Sequence, residues 1–304
     1  MIYTVTFNPS VDYVVRLKEF EMGALNRSSD TAKYAGGKGI NVSRILNELG
    51  VETTALGFVG GFTGDFIEST LSKSGIKNDF LRVEGDTRIN VKLKTDEETE
   101  INGAGPIITD DDLAKLEDQL TSLNESDHVV FAGSVPSNHK DVYEFLSSLL
   151  HEHNIGFSID TEGQKLVSTL KYHPYLIKPN DVELEEIVGH KLSTQVERIS
   201  ACRELLSQGA SNVLLTLGSE GALFVNAEAI YRMPPPPGTL KNSVGAGDST
   251  VAGFIGKKGR GLEAQLKYAV ASGSATAFND DLAKRSDIEH LVDMIELQSI
   301  EEVK

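Results

Sequence analysis

Runs that read as β-strands alternate with runs that read as α-helices along almost the whole chain, and this alternation leaves few folds open. The spacing predicts strands over 2–7, 54–59, 128–132, 155–160, 175–178, 212–217 and 222–225. Helices are predicted over 40–49, 65–73, 110–123, 141–153, 164–170, 249–257, 263–278 and 288–297. In the helix over 141–153 the apolar residues Val142, Phe145, Leu146 and Leu149 fall on one stripe, and Ile288, Leu291, Val292 and Ile295 repeat the pattern near the end. Strands alternating with helices of 10–15 residues mean βαβ units, hence a mainly parallel sheet covered on both faces. With 304 residues, 39% of them hydrophobic, the chain has material for one large α/β domain or two smaller ones.

Two stretches break the rhythm. Residues 12–35 lack helical periodicity, and 87–101 alternates at Ile89, Val91 and Leu93 before turning acidic at Asp96, Glu97 and Glu98. A half-exposed strand and hairpin fits the second stretch better than a buried parallel strand. Together they predict a small antiparallel sheet standing off the main domain as a lid; two long surface loops are the plainer reading, though about 24 residues without structure is unusual in a compact domain. The prolines 234–237 form a stiff extended connector.

Charge narrows the class of partner. Lys and Arg number 29 against 45 Asp and Glu, a net charge of −16, which disfavours nucleic acid and anionic membrane. No apolar run approaches the roughly 18 residues of a membrane helix, and the N-terminus has no export pattern. Cys202 is the single cysteine, so no internal disulfide or thiolate zinc cluster is available, as suits a reducing cytoplasm. The histidines lack metal-binding spacing; His151 and His153 read as a solvated helix face.

The segment with most chemistry is Gly245-Ala246-Gly247-Asp248, at the start of an apolar helix. Small residues let a ligand approach the backbone, and the first N–H groups of a helix have no internal partner, so the terminus attracts anions. A carboxylate there suits a general base beside a phosphoryl group; a plain N-cap explains the same spacing. An aspartate near its reference value of about 3.9 is ionised at neutral pH and needs no large shift for that role. Gly36-Gly37-Lys38-Gly39 with Asn41 likewise precedes a helix. It is neither a Walker loop nor G-x-G-x-x-G, and it suits sugar hydroxyls and a phosphate or else a flexible turn.

Weaker signals follow other strands. Asp12 comes soon after the first strand and Gly133-Ser134 after another, where α/β folds place ligand groups. Lys178-Pro179-Asn180 with Glu183 fits a metal–phosphate support or a capping box. Thr216-Leu217-Gly218-Ser219-Glu220-Gly221 is a glycine turn, and Arg27 and Arg88 lie in the lid-like stretches or at their edge. No G-x-S-x-G elbow occurs, which disfavours a serine hydrolase.

In this order NPSVD, AGGKGINV, TR, KPN with Glu183, TLG with Gly221, and GAGD, from residue 8 to residue 248, resemble the ribokinase-like (PfkB) carbohydrate kinase family over essentially the whole chain. The resemblance implies a single kinase domain over 1–304, a three-layer α/β/α sandwich with a β-sheet lid at about 12–35 and 87–101. It implies ATP and Mg²⁺, with K⁺ as a further candidate, and transfer of the γ-phosphoryl to a sugar hydroxyl. Asp248 then corresponds to the catalytic base and the backbone of Gly245, Ala246 and Gly247 to the anion hole. Asp12, Gly36, Gly37, Asn41 and Ser134 correspond to sugar contacts. Lys178, Asn180 and Glu183 correspond to the Mg²⁺–phosphate support. Thr216, Gly218, Ser219, Glu220 and Gly221 correspond to the nucleotide loop, with Asn279 near the adenine.

Lys38, Arg88 and Arg27 supply a cationic hold that a neutral sugar does not need, which favours a phosphosugar. Details at 87–92, 99–103 and 277–283 most resemble the branch acting on fructose 1-phosphate, with tagatose-6-phosphate and fructose-6-phosphate kinases as rivals. A non-catalytic sugar-phosphate sensor has no use for Asp248, and a dinucleotide oxidoreductase would want the missing third glycine. The resemblance also implies a cytoplasmic homodimer paired through the lid.

Overall fold

The structure, a computed structural model, describes residues 1–96, 98–135 and 138–301. Glu97 of the acidic turn lies outside them. The chain begins with β1 (Ile2–Thr6), β2 (Ser10–Arg16), β3 (Asp30–Gly36), α1 (Lys38–Glu48), β4 (Thr53–Val59) and α2 (Gly61–Lys73). Short β5 (Lys77–Asn78) and β6 (Leu81–Arg82) lead to β7 (Arg88–Lys94), β8 (Glu98–Asn102) and α3 (Asp110–Thr121). The middle holds β9 (His128–Ala132), α4 (Val142–Glu152), β10 (Gly156–Asp160), α5 (Gly163–Val167), β11 (Leu176–Ile177), α6 (Asp181–Val188) and α7 (Gln195–Ser207). Then follow β12 (Asn212–Thr216), β13 (Ala222–Asn226), β14 (Ile230–Met233), α8 (Ala246–Gly256), α9 (Leu262–Ala277), α10 (Arg285–Val292) and β15 (Gln298–Ser299).

The main sheet runs β15-β14-β13-β12-β11-β10-β9-β1-β4-β5, with β6 also on β4. From β12 across to β4 the pairs are parallel, and β13, β14 and β15 add antiparallel strands at one edge. Central strand β9 shows how the layers divide. Val129 and Phe131 face one core with Leu146 of α4 and Leu184 of α6, while Val130 faces the other with Val251 of α8 and Leu266 of α9. Helices on both faces of a mainly parallel sheet give the three-layer sandwich.

Helix α4 keeps its place with a shifted face. Tyr143, Leu146 and Leu150 are buried, whereas Phe145 of the expected stripe is 50% exposed. The large Tyr143 ring fills the core between Phe7 and Phe131 and sets the rotation of the helix.

The small sheet is real, but it is not wholly antiparallel. Its order is β3-β2-β7-β8; the outer pairs are antiparallel and the central pair β2–β7 is parallel, with Ser10 opposite Arg88 and Arg16 opposite Lys94. Both central strands leave the main domain travelling the same way, since β2 follows β1 and β7 follows the β4–α2 unit. Val11, Ala35 and Ile67 of α2 share a third apolar cluster that joins this sheet to the main domain.

Helices α8 and α9 pack at glycine positions. A Cβ at Gly253 would sit 2.2 Å from the Tyr268 carbonyl oxygen, and one at Gly273 would sit 2.2 Å from Thr250 Oγ1. Backbone cannot yield as a side-chain tip can. Gly253→Ala should therefore destabilise the protein by about 2 kcal/mol, read as a Tm lower by roughly 4 °C or more in a thermal melt; an unchanged Tm would show that the two helices can separate freely.

Candidate active site

The strand order reverses at β1, whose neighbours are β4 and β9, and such a switch point opens a crevice at the carboxyl ends of the strands. A cleft of about 850 Å³ occupies this end, and a compartment of about 210 Å³ opens beside it, sharing Gly37, Lys38 and Arg88. Helices α1 and α8 point their N-termini here. Their N-cap residues are glycines with positive φ, Gly37 at 119° and Gly245 at 80°, and neither start has a side-chain cap. Apart from a long bond from the Ala246 N–H to the Ser243 carbonyl (3.3 Å), their first N–H groups face a place for an anion.

Asp248 lies in the first turn of α8, 5% exposed, and accepts a hydrogen bond from Asn41 Nδ2 of α1 at 2.8 Å. It is not the cap of its own helix. Burial, and secondarily the nearby Asp160 charge, push its pKa up to about 6, against the opposing pull of Lys38, Asn41 and Lys178. The unshifted carboxylate expected from the sequence is therefore corrected: a 5%-exposed position cannot hydrate the charge.

Asp160 is a residue that the sequence reading passed over. It ends β10, is 2% exposed, and stands between Lys38 Nζ at 3.6 Å and Lys178 Nζ at 3.4 Å. Neither carboxylate oxygen has a hydrogen-bond partner among the described residues. A Cβ on Gly247 would meet Lys178 Nζ at 3.2 Å, so the glycine lets this buried ammonium approach α8. The Lys38 pKa is raised, chiefly by Asp160.

The small sheet covers the cleft with one face, where Asp12, Asn90 and Lys92 line the space. Asp12 accepts hydrogen bonds from Ser10 Oγ (2.7 Å) and Asn90 Nδ2 (3.2 Å). In the smaller compartment Arg88, Ser134, Thr6 and Asn8 converge. Arg88 Nε, Thr6 Oγ1, Asn8 Oδ1 and, in the cleft, Asn90 Oδ1 are buried without hydrogen-bond partners among the described residues. Buried polar atoms are rarely left so, and their clustering marks a place for a polar ligand. Burial lowers the Arg88 pKa, with Asp12 pulling the other way, and a guanidinium stays charged regardless.

Asn180 and Glu183 form the capping box of α6: Asn180 Oδ1 accepts from the Glu183 N–H and Glu183 Oε2 from the Asn180 N–H, both at 2.8 Å. Both still line the cleft, as do Lys178, Thr216, Gly218, Ser219, Gly221 and the run from Gly245 to Asp248.

Four expected contacts stand elsewhere. Glu220 turns toward Arg198 at 3.8 Å. Asn279 donates to the Ala275 carbonyl and to Asp287, leaving Phe278 on the cleft wall. Arg27 is exposed in the segment between β2 and β3 and lines neither space. Gly36 makes room instead of contact, since a Cβ there would lie 2.6 Å from the Asp12 carboxyl group. The rule that ligand groups follow strands would have found Asp160, and the alternation of β7 would have found Asn90 and Lys92.

A polyphosphate fits these residues through the two uncapped helix starts. Among the described residues no group of three or more His, Cys, Asp or Glu is placed to hold a metal ion, so Mg²⁺ fits as a nucleotide-borne ion, which needs only one or two protein carboxylates. No helix among these residues is long and apolar enough to cross a membrane.

Comparison with known proteins agrees with this geometry. The model of the pfkB family carbohydrate kinases matches residues 5–284. The 1-phosphofructokinase of Bacillus subtilis is 46% identical over 96% of this chain and 97% of its own length. The D-tagatose-1-phosphate kinase of Bacillus licheniformis is 36% identical over 98% of this chain and 99% of its own. Phosphofructokinase-2 of Escherichia coli, solved in complex with potassium, superposes with a TM-score of 0.91 at 29% identity, covering 96% of this chain and 98% of that one. With the family model spanning nearly the whole chain and the cleft built at its switch point, the protein belongs to the PfkB family of carbohydrate kinases.

Proposed function

We propose that the protein transfers the γ-phosphoryl group of ATP to the 6-hydroxyl of D-fructose 1-phosphate, giving D-fructose 1,6-bisphosphate. The observation that carries this reading is a buried carboxylate, Asp248, at an uncapped helix start, next to a cationic compartment bounded by Lys38 and Arg88. The compartment suits the resident phosphate, which Arg88 meets with its partnerless Nε. Asp12, Asn90 and Asn41 orient the hydroxyls, and the 6-hydroxyl faces Asp248. Asp248 takes the proton as the hydroxyl oxygen bonds to phosphorus and the bond to the leaving ADP breaks. The N–H groups of Gly245, Ala246 and Gly247, with Lys38 beside them, hold the charge on the phosphoryl oxygens. Thr216, Gly218, Ser219 and Gly221 cradle the nucleotide, with Phe278 on the wall in place of the expected Asn279. Mg²⁺ bound with the nucleotide would be supported by Asp160, Asn180 and Glu183 and would offset phosphate charge. K⁺ remains an expectation of the family likeness, which includes a relative solved with potassium.

Two relatives spanning nearly the whole chain are named for 1-phosphate substrates, which supports fructose 1-phosphate; a relative 37% identical over 84% of the chain is named tagatose-6-phosphate kinase, so the 6-phosphates are the rivals to test. The deciding experiment compares kcat/KM for fructose 1-phosphate, tagatose 1-phosphate, tagatose 6-phosphate, fructose 6-phosphate and free fructose. Fructose 1-phosphate should lead, and Arg88→Ala should raise its KM while leaving that of ATP nearly unchanged. A lead for any 6-phosphate would overturn the substrate reading.

Asp248→Asn should lower kcat by about 10²–10⁴-fold, the usual contribution of a general base. In the wild type kcat/KM should fall as pH drops through about 6, because the base must be ionised. The raised pKa also means that the folded state holds this proton more tightly than the unfolded chain. Its stabilisation is full below about 3.9 and lost as pH rises through about 6. At pH 8 the Asn variant should then melt about 2–4 °C above the wild type, on the order of 1 kcal/mol. An inactive variant that melts lower would contradict the burial argument.

The small sheet acts as a lid that excludes water from the phosphoryl group. Its strands expose Ile89 (41%) and Ile101 (59%), apolar surface that supports pairing of two lids in a homodimer. Light scattering should give twice the chain mass of 32.9 kDa, and Ile101→Asp should halve it.

A further inference from the structure

Lys92 stands apart from the cationic groups considered so far. It is buried within β7, 8% exposed, and lines the cleft on the small-sheet face, in register with Val14 of β2 and Glu100 of β8. Its ammonium lies 3.4 Å from Asp12 Oδ2 and 3.6 Å from Glu100 Oε1. Every other tie on Asp12 goes to its second oxygen, where Ser10 Oγ and Asn90 Nδ2 donate to Oδ1. Gly36 makes the room in which the carboxylate sits, since a methyl group there would overlap it. Hydrogen bonds thus hold Oδ1 and Lys92 pairs with Oδ2, while Arg88 of the same strand attracts the carboxylate without an ion pair to it among the described residues.

A sugar phosphate poses a problem that a neutral sugar does not. It arrives as an anion, while Asp12 and Glu100 are carboxylates on the same wall of the cleft. Removing Lys92 would take the ion-pair partner from both on the side of that ligand, and a partly buried charge without its partner is costly.

We propose that Lys92 is a positioning residue for the acceptor sugar: by tying the Asp12 carboxylate across the parallel pair β2–β7, it aims the hydroxyl-binding group and neutralises the wall that a sugar phosphate must approach. This rests on the reading of the cleft as a phosphosugar site. Lys92 acts through Asp12, whereas Lys38 and Arg88 meet the phosphate itself.

The test is a mutant cycle of Lys92→Met against Asp12→Asn together with Glu100→Gln, with dissociation constants for D-fructose 1-phosphate from calorimetry and steady-state constants for both substrates. Lys92→Met should raise the KM for fructose 1-phosphate by about 10-fold or more, with KM for ATP and kcat changed by less than about 3-fold, the split expected of lost substrate binding. Lys92→Arg should restore most of the affinity. In a background carrying Asp12→Asn together with Glu100→Gln the Lys92→Met change should cost less than about 2-fold, because both charges it serves are gone. Equal losses in both backgrounds would overturn the proposal in favour of direct phosphate contact. A fall in Tm with both KM values raised would overturn it in favour of a merely structural tie. Should the wild type prefer another ketohexose phosphate, the substrate reading alone fails, and the same non-additivity is required with that sugar.

Discussion

The Asn41–Asp248 hydrogen bond joins the first turn of α1 to the first turn of α8, and the rest of the site is arranged around that junction. Two helix starts without side-chain caps can face each other only where something else satisfies their N–H groups. Burial and the neighbouring Asp160 charge make a carboxylate unfavourable there, and they push its pKa up to about 6. The fold sustains the arrangement with close packing behind it, since α8 lies against α9 at Gly253 and Gly273 with no room for a methyl group. Stability is thus concentrated where the base is mounted and surrendered at the base itself.

Charge is handled by alternation within the cleft. Asp160 stands between Lys38 and Lys178, and Lys92 stands between Asp12 and Glu100. A chain with a net charge of −16 can in this way meet two phosphorylated ligands without a large basic patch. Each lysine has a carboxylate to hold it in place before a ligand arrives, so little reorganisation is needed on binding.

Much of this was legible in the residues. The layer architecture follows from periodicity, because a strand buried on both faces and a helix with one apolar stripe leave different patterns. GAGD and AGGKG were readable together, because each alone is explained by a plain cap or turn, whereas two glycine-rich helix starts in the order of the family's other motifs are not. The phase of α4 was not readable, since a stripe through Phe145 and one through Tyr143 differ by a single residue and only the packing of Phe7 and Phe131 chooses between them. Helix α7 was missed for want of a strong stripe, although its Thr194–Glu197 capping box was present in the sequence. Asp160 and Lys92 were hidden for another reason. Each is a common residue at an unremarkable position in its strand, and its meaning lies in partners far away along the chain.

The parallel centre of the small sheet has a consequence for how the enzyme comes into being. Asp12 and Asn90, hydrogen-bonded to each other, are 78 positions apart in the chain, and α1, β4 and α2 intervene. Neither half of the sheet can find its partner until those intervening elements have docked on β1, because loop closure over such a distance is repaid only by contacts already in place. The acceptor-binding wall is therefore among the last parts of the molecule to assemble. A half-folded chain that carries the helix start attracting nucleotide still has no surface on which to hold a sugar, and phosphoryl transfer is withheld until folding is complete.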